Sequence, residues 1–140
     1  MFDDVQLSAI EIENRDKAMA ALEMAYPKGP PSTMFQSFQV SGLRQGDVFF
    51  LMVTTERRRW SRLHHLEVRI MLGELDKVDL AIAGTVAGAL RGGIMVWENP
   101  PNFVFYRESW PLINLEPDDV VNGGQALGFS AGLYRSALQS

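Results

Sequence analysis

The chain has 140 residues, 46% of them hydrophobic, which suits one globular domain burying about two-thirds of its unfolded surface. A formal charge of -4 argues against a protein built mainly to grip nucleic acid, because phosphate binding needs a net basic face. With no cysteine, a disulfide frame and a thiolate metal site are both excluded.

The opening "MFDDVQLSAIEIENRD" is acidic and lacks the basic-then-apolar order of a signal peptide. The uncharged stretch Leu80 to Leu90 is too short to span a bilayer, which needs about 20 apolar positions. The expectation is a soluble, cytoplasmic protein with no membrane partner.

In chain order, "VQLSAIEIE" alternates as a strand does but also repeats at helical spacing, and the helical reading is preferred. "NRDKAMAALEMAY" is the first helix, stopped by Pro27 and Gly29. "PKGPPS" is a loop, followed by a hairpin of "TMFQSFQV" and "VFFLMVTTE". After the polar "RRRWSR", "LHHLEVRIML" alternates Leu66, Val68, Ile70 and Leu72 with His65, Glu67 and Arg69, predicting a half-buried strand.

Over "GELDKVDLAIAGTVAGALRGG" the period changes to about 3.6, aligning Leu75, Val78, Ile82, Val86 and Ala89 on a second helix that ends at Gly92 and Gly93. "IMVW" and "FVFYRESW" form a second hairpin, with both prolines confined to its turn. Pro117, Asp118 and Asp119 start a third helix, in which Gly123, Gly124, Gly128 and Gly132 each cost up to about 1 kcal/mol relative to Ala. The fold expected over residues 1–140 is therefore a single α+β domain of order α-β-β-β-α-β-β-α, with one antiparallel sheet and helices packed against it.

Reactive constellations are weak. His64 and His65 are adjacent in a strand, so they point to opposite faces and cannot share a metal. "GFSAG" matches a serine-nucleophile elbow at Ser130 but lies inside a helix, with no strand before it. The glycines of "GTVAGALRGG" fall within and after a helix, so they cradle no phosphate and are better suited to close packing. "ERRRWSR", with Arg57, Arg58, Arg59 and Trp60, is too isolated to read as a nucleic-acid patch and better fits an acidic protein partner. No catalytic residue, metal or cofactor is expected.

From residue 66 onward the pattern resembles a known family. "LEVRIMLGELD" is similar to the third strand and Leu-Gly-x-Leu step of class I type III secretion chaperones, an architecture shared by YbjN-type bacterial proteins. "ALRGGIMVWENPPNFVFYRESWPLINLEPDDVV" resembles their helix exit, hairpin and Leu-Pro-Leu type link into the last helix. The resemblance implies a non-enzymatic homodimer that binds an extended segment of a secreted-effector-like or regulatory protein. Physically, such a partner adds a strand at a sheet edge and seats apolar side chains in pockets. Phe38, Val40, Phe49, Leu51 and Val53 are then the candidate apolar groove, with Arg57, Arg58 and Trp60 beside it. Leu80, Gly84, Ala87 and Gly88 are the candidate dimer surface. The alternative is a small enzyme or ligand-binding domain with a cavity between sheet and helices, using His64 or Ser130. A third reading is a regulatory protein acting through the arginine loop.

Overall fold

A computed structural model describes residues 7–29, 36–41, 48–57, 63–97 and 102–139, with backbone alone for Ser41, Val48, Glu56 and Arg57. Arg58 and Trp60 lie outside the described residues. The architecture is the α+β arrangement expected from the sequence: one five-stranded antiparallel sheet with three helices packed against it.

Helix α1 runs Ala9–Ala25 and begins at a capping box. The Glu11 N–H donates to Ser8 Oγ at 3.3 Å, and the Ser8 N–H donates to Glu11 Oε1 at 2.9 Å. Arg15, Ala18, Met19 and Leu22 recur at three- and four-residue spacing and form its buried face. Pro27 ends the helix by forcing Tyr26 into an extended conformation.

The strands are β1 Gln36–Ser41, β2 Val48–Arg57, β3 His64–Glu74, β4 Ile94–Trp97 and β5 Phe103–Pro111, in the spatial order β1-β2-β3-β5-β4. Their register lines up Phe38, Leu51, Ile70 and Tyr106 in one row, with Val53 against Val68 in the next row on that face and Leu66 against Trp110 in the one after. All of these side chains are buried on one face, where α3 crosses them. At about 1.5–3 kcal/mol per fully buried large apolar side chain, this layer is the main source of stability.

Met71 to Gly73 is a bulge, and Gly73 has φ 144, a conformation that excludes most side chains. Here the structure corrects the sequence reading. Leu75 is not on a second helix, because β3 extends to Glu74 and a single 3-10 turn covers Leu75–Lys77. Helix α2 is only Leu80–Val86, capped by Asp79 Oδ1, which accepts from the Ile82 N–H at 3.1 Å. Apolar spacing ran on through Leu75 and Val78, but the Asp79 cap starts a new helix.

Helix α3, Pro117–Leu138, follows a turn in which Leu112 is fully buried and the Leu112 and Ile113 carbonyls accept from Asn14 Nδ2 at 2.8 and 3.2 Å. The Pro-Leu link thereby pins α3 to α1 and sends it back across the sheet. Gly123 and Gly124 let it approach closely. A Cβ on Gly123 would overlap the Trp110 ring, and one on Gly124 would sit 2.9 Å from Leu51 Cδ1.

Candidate functional site

The five strand residues expected to form an apolar groove, Phe38, Val40, Phe49, Leu51 and Val53, are instead interior. Alternation along β1 and β2 turns all five toward the helices, where α3 covers them. Only Val40 also borders open space. Arg57 closes β2 at the end opposite Phe49. Leu80 and Gly84 in α2 and Gly88 in the 3-10 turn just after it are exposed, and a Cβ on either glycine would meet nothing within 4 Å. Ala87, expected beside them, turns inward and is buried.

The open space lies at the β1 edge. Tyr26 leaves α1 extended, and the next residues run along β1 as a short antiparallel bridge pairing Lys28 with Phe38. The Gly29 N–H donates to the Ser37 carbonyl, and the Gln39 N–H donates to the Pro27 carbonyl. Alternation then points the Gln39 carbonyl at the same edge. A ladder would satisfy it from the residue opposite, but that residue is Pro27, which has no N–H. The added strand stops there. Beyond it opens a groove of about 450 Å³ lined by Ala25, Tyr26, Pro27, Gln39, Val40, Gln125 and Phe129.

The groove is mixed in character. Phe129 is 51% exposed on its wall, with Leu133 one turn further along α3. Among the described residues that line it, Tyr26 alone is titratable, and its hydroxyl donates to the Val121 carbonyl at 2.7 Å. Burial pushes that hydroxyl pKa up.

The sheet face away from the helices holds a second concentration of polar groups. His65, Glu67 and Arg69, the polar alternates of the strand read as half-buried, are all buried, and Glu67 is 0% exposed. Arg69 meets Glu67 Oε2 through Nη2 at 2.7 Å and Nε at 3.0 Å, and Arg107 Nη1 lies 3.7 Å from Glu67 Oε1. The arginine pairing, invisible in a strand's alternation, makes burial of this polar row tolerable. Among the described residues no group of three or more His, Asp or Glu side chains fits a metal ion. Ser130 is buried in the middle of α3, far from the strand-to-helix elbow a nucleophile needs.

No helix among the described residues is long and apolar enough to cross a membrane. Comparisons of the chain with protein-family models, curated proteins and solved structures gave no match.

Proposed function

We propose that the protein is a non-enzymatic chaperone or adaptor that binds an extended segment of a partner protein and acts as a homodimer, in the manner of the secretion chaperones its element order resembles. The observation carrying this reading is the interrupted ladder at β1. An incoming strand supplies the N–H that Pro27 lacks, meets the Gln39 carbonyl and extends the sheet, while an apolar side chain enters between Val40 and Phe129. The outward face of α2 and the turn after it, with Leu80, Gly84 and Gly88, is the dimer surface in this reading, since it lets a second backbone approach closely.

Affinity purification from the native cell followed by amide hydrogen exchange on the captured complex tests this. The expected result is slowed exchange at Ser41 and around Phe129. A partner whose binding protects other regions and leaves these unchanged would overturn it.

One observation favours a second reading. The groove volume of about 450 Å³ falls within the range of roughly 300–1,000 Å³ typical of small-molecule sites. Native mass spectrometry of the purified protein separates the two readings: a retained small molecule, lost on changing Ala25 to Arg, would favour ligand binding.

A further inference from the structure

We infer that the β4 edge of the sheet is an interaction surface for a second copy of this chain: two β4 strands pair antiparallel about a dyad at Met95 and join two five-stranded sheets into one. This rests on the homodimer reading above and adds the element that makes the contact.

The spatial order β1-β2-β3-β5-β4 leaves β1 and β4 as the two edges. The bridge from Lys28 covers part of β1, whereas β4 pairs only with β5 among the described residues. One bond fixes the direction of its backbone groups. The Arg107 N–H donates to the Gly93 carbonyl at 3.0 Å, so residues 93, 95 and 97 turn toward β5, and alternation turns the N–H and C=O groups of Ile94 and Val96 outward. Among the described residues no backbone group meets them. Exposed edges are usually defended by a charge, a proline or a bulge. "IMVW" has none of these, and Val96 is 37% exposed.

A second copy fits this edge because the edge matches itself. A dyad at Met95 sets Ile94 opposite the second copy's Val96, and Val96 opposite its Ile94. Both are hydrogen-bonded pairs, so every outward N–H and C=O of the two residues finds a partner. Identical groups meet near a dyad, so a charge there would face its like, and this strand has none in a chain of net charge -4. On the face away from the helices Met71, Phe105 and Met95 stand in one row, with Phe105 buried and Met71 exposed. The dyad continues that row into its own image, so Met95 gains an apolar neighbour on its open side. Trp97 stands opposite the second copy's Gly93, which has no side chain to clash with it.

Two strands this short bury too little for a stable dimer, which needs about 1,200–2,000 Å² in total. Helix α2 adds the rest. The Tyr106 hydroxyl reaches the Ala83 carbonyl, and Tyr106 is the cross-strand neighbour of Ile94, so α2, with exposed Leu80 and Gly84, lies over this side of the sheet. The β1 grooves then stand at the two far ends of the joined sheet, open to their partner segments.

The chain has no cysteine, so Met95→Cys introduces a single thiol on the dyad. Facing Cα atoms in a non-hydrogen-bonded antiparallel pair are about 4.5 Å apart, within the disulfide range of roughly 4.4–6.8 Å. Mild oxidation of the full chain should convert Met95→Cys to covalent dimer at least about tenfold faster than Asp76→Cys, a control at an exposed position. In sedimentation equilibrium Met95→Lys, which sets two ammonium groups face to face, should weaken self-association at least about tenfold. Val96→Pro removes an outward N–H that takes no part in the β5 ladder, so it should weaken the dimer while leaving the circular dichroism of the subunit unchanged. A dimer that survives both substitutions, shows no preference in crosslinking and dissociates in Gly84→Arg would overturn the β4 contact and leave the homodimer reading standing. Oxidation in cell lysate that joins Met95→Cys to a different protein in preference to its own copy would also overturn the contact. A chain that stays monomeric at about 100 μM would overturn both the contact and the homodimer reading beneath it.

Discussion

Gly123 rests against the indole of Trp110, so closely that a Cβ at residue 123 would overlap the ring. In an open helix, Gly→Ala gains up to about 1 kcal/mol. Here the sign reverses, because the ring and the α3 backbone must separate. Gly123→Ala should lower stability by about 1–3 kcal/mol, the usual cost of overpacking. Gly84→Ala in α2, where a Cβ meets nothing within 4 Å in the single subunit, should raise the subunit's own stability by up to about 1 kcal/mol while weakening the proposed dimer. Urea midpoints of the two variants check the contrast.

Tyr106 and Tyr134 tie α2 to the rest of the fold. The Tyr106 hydroxyl donates to the Ala83 carbonyl at 2.8 Å, and the Tyr134 hydroxyl accepts from the Asp79 N–H at 3.0 Å. The Ala83 carbonyl also accepts from the Ala87 N–H, so it keeps a partner if Tyr106 is changed. Tyr106→Phe should therefore cost only about 1 kcal/mol. In hydrogen exchange, the amides of α2 should open more readily while β2 and β3 stay protected.

The buried Glu67 depends on Arg69. Arg107 Nη1, at 3.7 Å from Glu67 Oε1, is too distant for a close hydrogen bond. Arg69→Met should lower stability by about 3–5 kcal/mol, because it removes the closest ion pair of a fully buried carboxylate. The double variant Glu67→Leu, Arg69→Met should cost less than Arg69→Met alone, a strongly non-additive result in chemical denaturation.

Glu108 sits on the helix-covered face of β5, and burial raises its carboxyl pKa above the ordinary 4.5, against the smaller lowering effect of the Arg91 N–H and charge. The folded state therefore holds its proton more tightly than the unfolded chain. The resulting contribution is complete below pH 4.5 and is lost as pH rises through the folded value. Glu108→Gln should remove this part of the pH dependence, so the variant should gain on the parent as pH climbs from 4.5 toward neutrality. Urea midpoints across that range measure it.

The order of elements was legible because each carries its own period and stop signal, as in β3 and α3. Ser8 with Glu11 was a capping box open to inspection, and it places the start of α1. What the sequence hid depends on contacts distant along the chain. Alternation marks His65, Glu67 and Arg69 as one face of β3 but cannot say that Arg107, on another strand, closes over Glu67. The helix glycines look costly until Trp110 and Leu51 are seen against them. The groove was the least legible feature, since "PKG" reads as loop until Lys28 is found opposite Phe38. The only early hint was Pro27, a residue that cannot complete a ladder.

In the proposed function a second polypeptide docks beside Gln39, Val40 and Phe129. A photo-crosslinking amino acid placed at position 129 in the native cell, with the same group at the exposed Asp76 as control, tests it most directly. The account predicts one protein partner, joined through a single extended segment, in the position-129 variant and absent from the control. Crosslinks no more frequent at 129 than at 76 would contradict it.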